Sequence, residues 1–154
     1  MTGAASVPPP APAQGVIRAG VHVFPVRVYY EDTDAGRIVY HARYLHFAER
    51  ARSELLRLAG FDNRDLMADP GIAFAVRRAS LDFRKPAVLD DLLEVHTTLG
   101  KIGGASFEAV QEIRRDGDVL VRIDIKLASM ALAGGVARLP DAVKDRLAGL
   151  MSGE

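Results

Sequence analysis

One amphipathic helix placed early in the chain limits the fold more than any other feature of this sequence. From Tyr44 the apolar residues Phe47, Ala48, Ala51, Leu55 and Leu58 recur at the spacing of one helical face, and His46, Arg50, Ser53 and Arg57 fall opposite. The pattern predicts a helix with one core side and one wet side, stopped near Gly60. Most of the chain beyond Gly60 alternates instead. Ala73 to Arg84 predicts a long strand closed by Pro86, and Leu93, Val95, Thr97 and Leu99 alternate with Glu94, His96 and Thr98. Phe107, Ala109, Gln111 and Ile113 share a face opposite Glu108, Glu112 and Arg114. Asp116-Gly117 signals a hairpin, after which Val119, Val121, Ile123, Ile125 and Leu127 face away from Arg122, Asp124 and Lys126. Ahead of the helix, Val26, Val28 and Tyr30 alternate with Arg27 and Tyr29 as a half-buried strand. Asn63 to Asp69 predicts a short helical turn, and a last helix starts at Pro140 with Val143, Leu147 and Leu150 on one face. Strand, long helix, four strands and a terminal helix make an α+β chain whose mostly antiparallel sheet curls around the long helix. One helix covers only part of such a sheet, so the remaining edge and apolar surface predict association between copies.

The chain has 154 residues, 49% of them apolar, which suits one domain with one core. That domain is expected over residues 21–154, behind a disordered tail over residues 1–20 that holds Pro8, Pro9, Pro10 and Pro12 among Ala, Ser and Gly. The tail lacks the basic start and apolar run of a secretory signal. Twenty basic and twenty acidic side chains cancel, so no overall field favours nucleic acid or an anionic membrane, and any anion must be held locally. The absence of cysteine excludes disulfides, thiolate nucleophiles and Cys-built zinc sites, and it is compatible with a reducing cytoplasm.

Between the first strand and the helix runs Tyr29-Tyr30-Glu31-Asp32-Thr33-Asp34-Ala35-Gly36-Arg37-Ile38-Val39-Tyr40-His41. None of Val39, Tyr40, His41, Ala42 or Arg43 is a Ser, Thr, Asp or Asn that would cap the helix. The first amides therefore need another partner: water, or the oxygen of a bound acyl group whose developing charge the helix dipole stabilises.

Arg27 to Gly36, Val39-Tyr40-His41-Ala42 and Glu49-Arg50-Ala51-Arg52 together resemble the hotdog-fold acyl-CoA thioesterases. Within them the chain is similar to the Tol-Pal-associated branch of the hydroxybenzoyl-CoA thioesterase superfamily. The likeness continues through Pro86 to Leu92, the Gly104-Ala105-Ser106 turn and Leu139-Pro140, roughly residues 24 to 145. It implies a sheet wrapped around the central helix, a homodimer or homotetramer with sites at the subunit interface, and an acyl-CoA substrate, with acyl carrier protein as another carrier. It places the protein in the cytoplasm or at the periphery of the inner membrane. It puts Asp34 at the catalytic carboxylate and His41 where its backbone N–H and side chain border the thioester carbonyl. Tyr30, Gly36, Arg37, Tyr40 and Lys101 are the expected substrate-binding positions, and no cofactor or metal is implied beyond the coenzyme A of the substrate. Members of this family commonly carry a second glycine after Gly36. Here it is Arg37, which either narrows the acyl entrance or reaches a coenzyme A phosphate.

The chemistry is self-consistent. A thiol leaving group with a pKa of about 8.5, by analogy with cysteine, departs without a strong acid. Asp34 could attack to give a mixed anhydride, or act as general base on water. Each residue also has a plainer reading. Asp34 alone is a turn former, His41 a helix-end histidine, Asp32 and Glu31 loop charges with Asp32 holding the backbone, and Tyr30 and Tyr40 packing residues. Zinc at His41, His46 and Glu49 lacks an H-E-x-x-H pattern, and no serine sits in G-x-S-x-G. Two other functions stay open: a non-catalytic acyl-thioester binder or partner of an envelope complex, and a dehydratase acting on 3-hydroxyacyl thioesters.

Overall fold

The computed structural model describes residues 3–152. Met1 and Thr2 of the expected tail, and Gly153 and Glu154 of the expected domain, lie outside the described residues. The elements are β1 (Val16–Arg18), β2 (Val21–Arg27), α1 (Arg43–Leu58), α2 (Asn63–Ala68), β3 (Ile72–Phe83), β4 (Leu92–Ile102), β5 (Ser106–Arg115), β6 (Asp118–Ala131) and α3 (Asp141–Leu150). The six strands form one sheet in the order β1-β2-β4-β5-β6-β3, and each neighbouring pair is antiparallel. This is the α+β arrangement that the alternation after the first helix predicts.

The sheet closes on α1. Phe47, Ala48 and Ala51 are completely buried, and they join Val26, Val28, Leu93, Val95, Ile113, Val121 and Ile123 in the main core. The small Ala48 and Ala51 let the helix approach the sheet closely, while Phe47 fills the space between them and the strands. At the C-terminal end of α1 a second cluster takes over, in which Leu55, Leu56 and Ala59 meet Leu66 of α2, Ile72 of β3 and Val143 and Leu147 of α3. The α3 contact explains one departure from the expected face: Leu56 is buried and Leu58 only half so, because the helix end is covered from two sides.

Three expectations need correction. The tail does not run to Gly20. Residues 16–18 form the edge strand β1, with Val16 opposite Val23 and Arg18 opposite Val21, and residues 19–20 turn it into β2. Ala19 (φ 49°) and Gly20 (φ 76°) supply the two left-handed residues that a tight hairpin takes. Three residues are too few for alternation to show in sequence. Gly15 is docked as well, since a Cβ there would stand 2.3 Å from the Val23 carbonyl oxygen. His22 Nε2 lies 2.8 Å from the Gln14 carbonyl oxygen. Second, β2 ends at Arg27. Val28 is buried, but Tyr30 begins a single 3-10 turn and is 83% exposed. Third, Tyr30 and Tyr40 do not pack into the core of the chain, because both rings are exposed.

Candidate active site

The acidic loop is a small hairpin in its own right. Thr33 bridges Val39, Tyr40 N donates to the Asp32 carbonyl at 2.8 Å, and Asp34 N donates to the Ile38 carbonyl at 3.1 Å. At its tip Arg37 N donates to the Asp34 carbonyl (2.9 Å), and Asp34 Oδ1 accepts from Gly36 N (2.8 Å). A side chain on Gly36 would bring a Cβ to 3.1 Å from that same oxygen, so the glycine makes room for the carboxylate. The plainer reading of Asp34 as a turn former is therefore correct, and it leaves Oδ2 outside that bond on an exposed residue.

The hairpin is pinned to the helix at two places. Val39 N donates to the Ala87 carbonyl at 2.9 Å, while the buried Tyr44 hydroxyl accepts from Ala87 N at 3.0 Å. One residue thus holds both the loop and the first turn of α1. The second clamp is Asp32, only 2% exposed. Its Oδ2 accepts from Tyr29 N (2.8 Å), its Oδ1 lies 3.7 Å from Arg43 Nε, and Arg43 Nη2 donates to the Glu31 carbonyl (3.0 Å). Asp32→Asn keeps the shape but removes the charge facing Arg43. It is expected to lower stability by about 1–3 kcal/mol in urea denaturation. An unchanged midpoint would show that Asp32 does not hold the loop.

The helix start has the open character that the sequence suggests. Ala42 is the N-cap, no side chain caps it, and Arg43 N closes the preceding turn onto the Tyr40 carbonyl (2.8 Å). His41 stands exposed in that turn, its ring 4.6 Å from Tyr40 and 6.3 Å from Phe83 between centroids. Tyr40 pairs with Asp32, so Asp34 lies two residues to the tip side of that rung and His41 one residue to its helix side. Asp34, Gly36, Arg37, Tyr40 and His41 therefore belong to one structural unit, with Tyr30 at its foot. Lys101 does not. β2 enters the loop where Arg27 faces Leu92, and Lys101 lies nine residues further along β4, about 30 Å away in a single chain.

A cavity of about 340 Å³ also lies away from Asp34. It opens between α1, α2 and the sheet, lined by Leu55, Leu56, Met67, Phe74, Leu99 and Phe107, with Arg52 and Glu49 among its polar residues. Arg52 Nη1 donates to Gln111 Oε1 (2.9 Å), and Gln111 Nε2 donates to the Ala48 carbonyl and to Thr97 Oγ1 (3.0 and 3.1 Å). Burial lowers the Arg52 pKa, and nearby Glu49 offsets part of that. Sequence reasoning misses the Arg52–Gln111 pair, although Gln111 and Thr97 on inward strand faces are the signal for it. β3 separates the two regions: Phe83 at one end packs near His41 and Tyr44, while Ala73, Phe74 and Val76 at the other line the cavity. The seven residue steps from Val76 to Phe83 span about 23 Å.

Among the described residues no three His, Asp or Glu side chains gather as a metal set, and no helix is long and apolar enough to cross a membrane. A family model described as the thioesterase superfamily matches residues 36–122. The acyl-CoA thioesterase YbgC of Haemophilus influenzae is 47% identical over 71% of this chain and 80% of its own length. The acyl-CoA thioester hydrolase YbgC of Escherichia coli is 50% identical over 58% of this chain and 66% of its own length. Among solved structures, a probable thioesterase from Bartonella henselae superposes with a TM-score of 0.76 at 41% identity, covering 78% of this chain and 99% of that one.

Proposed function

The chain belongs to the thioesterase superfamily and has its hotdog fold, and on that premise we propose that it is an enzyme hydrolysing acyl-CoA thioesters to free acid and coenzyme A. What supports the assignment of residues is that one hairpin carries Asp34 at its tip and leads, through the Tyr40–Asp32 rung, directly into the uncapped start of α1. In this reading Asp34 supplies the nucleophile or the general base. The amides of the turn at His41 stabilise the oxyanion as the carbonyl becomes tetrahedral. The thiolate then leaves without an acid of its own. The His41 ring, held between Tyr40 and Phe83, borders the carbonyl.

We propose further that the working unit is a homodimer or a pair of dimers. β3 is a sheet edge, and it exposes Val76 and Phe83, each 50% accessible. Antiparallel pairing of two such edges about their middle lays the Phe83 end of one copy beside the Ala73–Val76 end of the other. The apolar cavity of one protomer then faces Asp34 of the next, which supports a shared site for one acyl group. Tyr30, Gly36 and Tyr40 border the thioester in this arrangement, and Lys101 reaches a substrate only from the second copy. The cytoplasm is the compartment proposed for it.

The test is thiol release over a panel of aliphatic and aromatic acyl-CoA esters, alongside sedimentation to give the mass in solution. One free thiol per acid formed is expected. Tight binding of the panel without thiol release would make the protein a binder, and an enoyl thioester product from 3-hydroxyacyl substrates would make it a dehydratase.

A further inference from the structure

Arg37 occupies a place that its own backbone disfavours. At φ 65° it lies in the left-handed region, where a glycine is free of strain and a long side chain is not. Nothing among the described residues accounts for an arginine there. The residue is exposed, and its guanidinium makes no hydrogen bond or ion pair among the described residues. Its backbone amide alone is used, in the bond to the Asp34 carbonyl that closes the hairpin tip, and any residue except proline supplies that amide. Asp34 forms no ion pair with it among the described residues; its Oδ1 accepts from Gly36 N instead.

We infer that Arg37 binds the phosphate at the far end of the substrate's pantetheine arm, a group shared by coenzyme A and the prosthetic arm of an acyl carrier protein. This rests on the hydrolase reading above. The four-residue turn keeps the Arg37 and Asp34 Cα atoms within about 7 Å of each other. The side chain adds about the length of two extended residues, ~7 Å. A pantetheine arm running from a thioester at Asp34 to its phosphate spans about four extended residues, ~14 Å. Laid end to end, the first two spans give a greatest reach of about 14 Å, which matches that phosphate and falls short of groups lying beyond it. A chain with no net charge has no general attraction for anions, so an unpaired guanidinium on the same turn as Asp34 supplies one locally.

The experiment measures kcat and KM for one acyl group carried on pantetheine, on 4′-phosphopantetheine, on coenzyme A and on an acyl carrier protein, with the wild type, Arg37→Gly and Arg37→Lys. For the wild type, kcat/KM is expected to rise about tenfold from pantetheine to phosphopantetheine through KM. Arg37→Gly erases that step and Arg37→Lys restores part of it. Arg37→Gly also relieves the left-handed strain, and its Tm is expected to rise by about 2 °C, a readout independent of activity. Which of the two phosphorylated carriers shows the larger loss identifies the source. A phosphate preference that survives in Arg37→Gly overturns the assignment, as does a variant that alters only the pH profile or only the acyl-chain preference. Absence of thiol release by the wild type would instead overturn the hydrolase reading itself.

Discussion

Asp34→Asn is expected to reduce acyl-CoA turnover by about 10²–10⁴-fold while leaving the urea midpoint close to that of the wild type. The separation comes from the two jobs the side chain holds. Its Oδ1 accepts from Gly36 N at 2.8 Å and so shapes the hairpin tip, and an asparagine carbonyl oxygen accepts the same bond in the same place. What asparagine lacks is the negative charge, which a nucleophile needs to attack and a general base needs to take a proton. The fold therefore survives a change that removes the chemistry. His41→Ala, by contrast, leaves the backbone amide of the turn in place and should cost less than Asp34→Asn. Thiol release under saturating substrate separates these outcomes. An Asp34→Asn protein that turns over at nearly the wild-type rate would remove Asp34 from the reaction, whatever the chain's family.

Phe47→Ala is expected to lose about 3–5 kcal/mol of stability, read from equilibrium urea unfolding. Phe47 is fully buried on α1's core face, next to Ala48 and Ala51, and its ring meets Tyr44 edge-on at 6.2 Å. The neighbouring alanines have no bulk with which to refill the hole, so most of the lost volume stays as cavity. A domain of this size commonly has about 5–15 kcal/mol in total, and the variant should unfold well below the wild-type midpoint. Tyr44 also holds Ala87, and Ala87 holds the loop, so turnover should fall with stability even where the variant remains folded. A loss under about 1 kcal/mol would mean that α1 is not enclosed by the sheet.

Much of this was legible before any coordinates. The period of the helix over Phe47, Ala48, Ala51 and Leu55 and the alternation of the strands over residues 93–99, 107–113 and 119–127 are local signals, because each residue's burial repeats at a distance set by its own backbone. The uncapped start of α1 was equally legible, since capping needs particular residue types within a few positions. What failed was local too, but too short to have a period. β1 has three residues, and the change from strand to 3-10 turn at Tyr30 breaks an alternation that sequence alone carries straight on.

The sequence by itself determined the α+β order, the enclosed helix, the family, and the presence of a carboxylate two residues before the glycine of an acidic loop. Only the tertiary structure decided which groups meet. Ala87, forty-eight residues after Val39, pins the loop, Gln111 on β5 aims Arg52 of α1, and Lys101 sits at the far end of β4 from the other substrate-binding positions. The reason is physical. Periodicity reports which face of an element is buried, whereas contacts between elements depend on strand order and register, and no residue carries these in its immediate neighbours.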